Sequence, residues 1–216
     1  IKDFIEEDGK SGLLILWGEK GTGKTTYIRH LISSYPNKKF VFIPSNLITM
    51  LGDPAFGNFL LSLQNSIIIL EDCEAVIRSR KSNSSASAVS LLLNMGDGLM
   101  SDDLGIKFIC TFNEEVTNID EALMRKGRLA CMYEFKKLTA DKVGVLLPEV
   151  VKNKIAEYEK KIEEAGDDTD KVNRINEKIT KLQSIFNYSK FKDMTLADIY
   201  NVEDASFIKE TKKIGF

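Results

Sequence analysis

Three observations on the 216-residue sequence predict an α/β fold: a five-stranded parallel sheet covered by helices and followed by a smaller, all-helical part. Short runs rich in branched and aromatic residues recur at Leu13–Trp17, Phe40–Ile43, Ile67–Leu70, Ile106–Cys110 and Met132–Phe135. They are nearly continuous in apolarity rather than alternating, which is the signature of buried strands in a parallel sheet with both faces covered. Helical stretches lie between them, the βα alternation that such a sheet needs. From Thr139 onward the strand signal stops and long charged helices take over, so the chain divides into 1–138 and 139–216.

The first strand, Leu13–Trp17, runs into a glycine-rich loop and then a helix. In that helix Tyr27, Ile28, Leu31, Ile32 and Tyr35 repeat at three-to-four spacing until Pro36 stops it, so one stripe packs on the sheet. Phe40–Ile43 is the second strand; Ile67–Leu70 is the third and ends in Glu71-Asp72. The fourth, Ile106–Cys110, is closed by Thr111-Phe112-Asn113, and Met132–Phe135 is the fifth. In the helical part, Val151, Ile155, Tyr158 and Ile162 form one apolar stripe, and Val172, Ile175, Ile179, Leu182 and Ile185 another. Gly166-Asp167-Asp168 separates them, so residues from about 150 to 186 read as an antiparallel helical hairpin. Between Val151 and Gln183 eight basic residues balance eight acidic ones, which fits a solvated face laced with i,i+4 pairs as well as a partner-binding surface.

Composition excludes several classes. With Lys+Arg 30 against Asp+Glu 32, the net charge of -2 is not that of a strongly basic nucleic-acid binder. A content of 43% hydrophobic and 29% charged residues is that of a globular chain, not of a disordered or collagen-like one. No apolar run approaches the roughly 18 residues that span a bilayer, and no signal peptide opens the chain, so a cytoplasmic location is expected. Cys73, Cys110 and Cys131, with the single histidine His30, make neither a disulfide framework nor a zinc site. An opening Ile1 in place of Met reads as a piece of something longer.

The chemistry starts at Gly18-Glu19-Lys20-Gly21-Thr22-Gly23-Lys24-Thr25, a G-x-x-x-x-G-K-[ST] pattern placed between a strand and an amphipathic helix. Such a backbone curls so that successive N–H groups face inward and form an anion nest at the positive end of the helix. Lys24 would reach the β- and γ-phosphates, the Thr25 hydroxyl would ligate Mg²⁺, and Thr26 completes the expected nucleotide-binding set. At the end of the third strand Glu71 is the candidate for the metal shell and Asp72 for orienting or deprotonating a water. Asn113, at the end of the fourth strand, carries an amide able to bond both the γ-phosphate and that water.

In order, GEKGTGKT, IIILED, SLLLNMGDG, FICTFN and IDEALMRKGRL resemble the core of an AAA+ ATPase, a P-loop NTPase, over roughly Gly12 to Leu138. In flavour the motifs are similar to the branch that contains the mitochondrial translocase of the Rieske iron-sulfur protein, through Leu70-Glu71-Asp72 and Leu92-Leu93-Asn94-Met95-Gly96-Asp97-Gly98. The resemblance implies ATP and Mg²⁺, assembly into a ring, commonly a hexamer, and a macromolecular substrate, with protein favoured. It implies that Asn113 is the sensor-1 residue and that Arg125 and Arg128 reach into a neighbouring subunit's site, where a fixed cation stabilises the transferring phosphoryl group. It further implies that 139–216 is the helical lid, in which Ala197 of Met194–Ile199 approaches the adenosine.

The sequence departs from the family pattern where Glu71 precedes Asp72. The common order is Asp then Glu, so the water-activating carboxylate is one methylene shorter, a change compatible with slow hydrolysis. Glu19-Lys20 replaces a Pro-Pro, and Lys126 a Pro, without removing an essential contact. Met50-Leu51-Gly52 matches the axial pore loop, where an apolar tip could grip extended polypeptide, yet it fits core residues under the following helix equally well. The stretch Arg78–Lys81 with Ser82–Ser87 fits either a second, basic pore loop or a solvated loop. Two functions stand: an ATPase that remodels or threads a macromolecule, and an ATP-switched assembly or loading factor on nucleic-acid machinery.

Overall fold

The computed structural model describes residues 1–44, 47, 59, 61–73, 104–113, 129–185 and 191–204. Met50-Leu51-Gly52, the loop 78–87, the run 92–98, Arg125 and Arg128 lie outside the described residues. The chain groups into two compact units, Ile1–Lys20 with Lys24–Phe135 and Gly21–Gly23 with Lys136–Phe216.

The first unit is built on a five-stranded sheet of β1 (Gly12–Trp17), β2 (Lys39–Ile43), β3 (Ser66–Leu70), β4 (Lys107–Phe112) and β5 (Leu129–Glu134) in the order β2-β3-β4-β1-β5. Every pairing is parallel, as the unbroken apolar runs predict. The fold is therefore an α/β P-loop NTPase architecture with helices flanking the sheet. On one face Leu14 and Leu16 of β1, Ile67 and Ile69 of β3 and Ile109 of β4 form a core with Ile28 and Leu31 of α2 (Lys24–Ser34). Leu13, Ile15, Ile68, Leu70, Phe108 and Cys110, which point the other way along the same strands, are buried too.

Two strands correct the expectation that all five runs are buried. β2 and β5 are the sheet edges, so Phe42 is 56% and Tyr133 53% exposed, and Met132 is also exposed. The fifth strand also begins earlier than its apolar run, at Leu129, because register with β1 continues past a bulge between Leu13 and Leu14. Ile32, assigned to the buried stripe of α2, is exposed at its rim.

A helix absent from the sequence reading, α1 (Lys2–Glu6), seats a fully buried Ile5 on the core. Its C-terminal end is tied by Lys107, the first residue of β4. The buried Lys107 ammonium donates to the Glu7 carbonyl and lies 5.6 Å from the centre of the Phe4 ring. Burial pushes its pKa below the ordinary lysine value.

In the second unit α3 (Ala140–Ala165) and α4 (Thr169–Ile185) form the hairpin. Gly166, at φ 56, ends α3. The hairpin starts about ten residues before the expected position, since α3 continues through Pro148 at the loss of one backbone bond, to the carbonyl of Gly144. Val151, Leu182 and Ile185 are buried with Val143, Leu147 and Val150, and Ile155 and Tyr158 pack against them; Ile175 is buried as well. The core is closed by Met194, which pairs with Leu138 in an antiparallel bridge, and by Ile199 of α5 (Leu196–Tyr200) and Val202. Thr195 and Asp198 form a reciprocal capping box on α5. Among the described residues no helix is long and apolar enough to cross a membrane.

Glu203, in the 3-10 turn that follows α5, is held on α3: Lys154 donates to it at 2.7 Å and the Tyr158 hydroxyl at 2.5 Å. Partial burial raises its pKa, but those two hydrogen bonds together with the Lys154 and Lys178 charges outweigh burial and the net shift is downward. With a folded value below the unfolded one, the stabilisation is complete above the unfolded value and disappears as pH falls through the folded one. Glu203→Gln is therefore expected to lower stability by about 1 kcal/mol at pH 7. Urea unfolding followed by circular dichroism should show that difference shrinking as the pH is taken below 4; a difference independent of pH would contradict the assignment.

Candidate functional site

The site grows from the point where β1 leaves the sheet. Gly18 N–H donates to Phe112 O at 3.1 Å, and Phe135 N–H donates to Trp17 O at 2.7 Å, so the ends of β4, β1 and β5 are tied around this residue. Gly18 has φ 141, and a Cβ there would stand 2.1 Å from the Phe135 carbonyl oxygen, which no side chain tolerates. The glycine that opens the loop is thus required by the backbone beside it.

Lys24, the first residue of α2, is buried, and its ammonium donates to the carbonyls of Gly18 at 2.8 Å and Glu19 at 2.9 Å. These bonds hold a cation under the loop at the N-terminal end of a helix, where anions are favoured. Thr25 and Thr26 follow on the first turn, both exposed, as are Glu19 and Lys20.

Strand order decides what faces this loop. β3 is not the immediate neighbour of β1, because β4 stands between them. Even so, the Thr25 hydroxyl donates to Glu71 Oε1 at 2.5 Å. The described residues contain no group of three or more His, Cys, Asp or Glu side chains able to hold a metal. Mg²⁺ needs no such cage: it is bound through one or two protein oxygens plus phosphates and waters, and Thr25 with Glu71 is a donor set of that kind. The residues fit the ion.

The neighbouring carboxylate is held differently. Asp72 sits in the left-handed region at φ 55, a conformation that aspartate tolerates better than most residues but that needs support. Support comes from β4: Thr111 Oγ1 accepts from Asp72 N–H at 3.0 Å, and Thr111 O accepts from Cys73 N–H at 3.0 Å. The Asn113 amide donates to Asp72 Oδ1 at 2.6 Å. Glu71 and Asp72, adjacent in sequence, are thereby split, one facing the threonine of α2 and the other the asparagine that follows β4. Thr111 is the residue that sequence reading passed over. The sequence offered only a hydroxyl residue directly after the apolar run Ile106–Cys110.

The second unit carries the remaining candidates. Within it, Ala197 N–H donates to Gly21 O at 2.9 Å, and a Cβ on Gly21, whose φ is 80, would lie 2.8 Å from Ala197 Cβ. Leu196 is set as closely against Gly23, and Thr22 is buried. Ala197 is thus a neighbour of glycine backbone. Arg125 and Arg128 are not among the described residues.

Compared with known families, residues 14–137 match the family model described as ATPase family associated with various cellular activities (AAA). A search of curated proteins returns no match to the chain.

The Thr111 hydroxyl can be tested without reference to turnover. Thr111→Val keeps the shape but leaves the Asp72 N–H without its acceptor, so stability should fall by about 1–2 kcal/mol. Thr111→Ser should restore most of it in the same urea titration; equal stability of the valine and serine variants would remove the hydroxyl from the account.

Proposed function

Because the chain belongs to the ATPase family associated with various cellular activities, we propose that it binds Mg-ATP at Gly18–Thr26 and hydrolyses it to drive the remodelling or threading of a macromolecule, with protein as the substrate class. The observation that carries this reading is the separation of two adjacent carboxylates, Glu71 to Thr25 at 2.5 Å and Asp72 to Asn113 at 2.6 Å. In this reading one carboxylate serves a cation and the other a water.

In this reading the loop N–H groups and Lys24 bind and neutralise the phosphates, and Thr25 and Glu71 hold Mg²⁺. When bound, the ion neutralises charge on the phosphoryl oxygens. Asp72 takes a proton from the attacking water as its oxygen bonds the γ-phosphorus, and the bond from that phosphorus to the β–γ bridging oxygen breaks to leave ADP and phosphate. Asn113 orients Asp72 and the water. Arg125 and Arg128 supply cations to the site of a neighbouring copy in a hexameric ring, which would make turnover depend on assembly. Ala197 lies against the adenosine, and Met50-Leu51-Gly52 is the segment that grips substrate. The likeness of Leu70-Glu71-Asp72 and 92–98 to the Rieske-protein translocase branch belongs to this proposal. Lys136–Phe216 acts as the lid.

A second reading, an ATP-switched assembly factor with slow hydrolysis, is favoured by the order Glu71-Asp72, which shortens the water-activating side chain by one methylene. Steady-state ATP hydrolysis per subunit, measured over a wide range of protein concentration, separates the two. On the first reading specific activity climbs with concentration and falls about 10²–10⁴-fold in Asp72→Ala. Lys24→Ala should lose nucleotide binding, while Arg128→Ala should keep binding and lose turnover. Tight ATP binding with a flat, negligible rate would instead select the switch.

A further inference from the structure

The middle of the loop that follows β1, Gly21–Gly23, groups with the helical unit. The start of α5 holds it there. In the capping box of that helix the Thr195 hydroxyl accepts from Asp198 N–H at 3.1 Å and the Asp198 carboxylate accepts from Thr195 N–H at 3.0 Å. The box leaves the N–H of Ala197, one of the donors that a helix start cannot satisfy internally, to find an acceptor elsewhere. It finds Gly21 O, at 2.9 Å. A loop carbonyl thus completes the capping of a helix far along the chain.

Side chains complete the seat. A Cβ on Gly21 would meet Ala197 Cβ at 2.8 Å and Thr195 Oγ1 at 3.2 Å, and one on Gly23 would meet Leu196 Cδ1 at 2.5 Å. The space that these two glycines leave open is therefore the space into which the first turn of α5 fits. Thr195 is buried, and Leu196 and Ala197 are partly so.

This seat sets the backbone of the loop. In a planar trans peptide the C=O and the N–H point in opposite directions, so anchoring Gly21 O on α5 fixes the plane of the Gly21–Thr22 peptide and turns Thr22 N–H away from the helix. Leu196, lying against Gly23, restrains the step that leads into Lys24. Glycine backbone is the most costly to order, and a nest of N–H groups binds an anion more tightly when its peptide planes are set before the ligand arrives.

We infer that Leu196 and Ala197 are positioning residues for the phosphate loop: α5 presets the Gly21–Gly23 backbone in the form that receives phosphate. This role rests on the nucleotide reading of Gly18–Thr26 and goes beyond it, because it acts through the loop backbone and not through the base.

The test uses the full chain. Affinity for Mg-ADP is measured by calorimetry, and amide hydrogen exchange of a peptide covering residues 18–26 is followed with no nucleotide present. Leu196→Ala should weaken Mg-ADP binding about tenfold and speed exchange in that peptide. Leu196→Met, which nearly keeps the volume and adapts to the gap, should restore both. Val202→Ala truncates a side chain buried in the same helical core, so it should lower the unfolding midpoint yet leave the affinity within about twofold of wild type. Circular dichroism checks that each variant is folded. Unchanged affinity or unchanged loop exchange in Leu196→Ala, or an equal loss of affinity in Val202→Ala, would overturn the positioning role and leave the nucleotide reading in place. A wild-type chain that fails to bind Mg-ADP would overturn both.

Discussion

The first unit depends on the tie at Gly18. Where β1 ends, its neighbours on either side, β4 and β5, are joined to it by Gly18 N–H to Phe112 O and by Phe135 N–H to Trp17 O. The three strands must therefore end at the same level, and the next residue must tolerate a carbonyl oxygen where its Cβ would be. Because the strands are parallel, their C-terminal ends share one edge of the sheet, and whatever chemistry they carry is collected there. A glycine at this position costs backbone entropy but avoids a collision that no rotamer change relieves.

From that edge the separate placements follow. β4, between β1 and β3, brings Thr111 and Asn113 to the turn at Asp72, and its backbone and hydroxyl stabilise a left-handed aspartate. Glu71, one residue earlier, is left pointing at Thr25. Two carboxylates adjacent in sequence would otherwise share one environment; here each has a hydrogen-bond donor of its own. At the other end of β4, Lys107 anchors the carbonyl end of α1. One strand is thus held at both ends by polar contacts while its middle is wholly apolar and buried.

The second unit is organised by similar means. Its apolar stripes are those visible in the sequence, and its ends are fixed by polar pairs: the Thr195–Asp198 box, the Leu138–Met194 bridge and the Glu203 carboxylate on Lys154 and Tyr158. Helices with mostly exposed, charged faces draw little stability from propensity alone, so these closures and the buried face set how firmly the unit stands. Lys161 and Lys178 both lie over the Tyr158 ring, at 5.2 and 5.4 Å from its centre.

Sequence alone determined what depends on local pattern: the strand runs, the loop that follows β1, the stripes of α3 and α4 and the glycine between them. These are legible because backbone geometry and side-chain periodicity are properties of a few neighbouring residues. Tertiary structure decided what depends on strand order and on contacts between distant residues. Phe42, Met132 and Tyr133 are apolar enough for a core, yet lie exposed because their strands became edges. α3 runs through Pro148 because packing of Val143 and Leu147 on the helical core outweighs one lost hydrogen bond. Thr111, Lys107 and α1 had no motif to mark them, since each takes its meaning from a partner 30 or more residues away. The acidic pair could be read as a pair from the sequence, but only the arrival of β4 between β1 and β3 assigned one carboxylate to a threonine and the other to an asparagine.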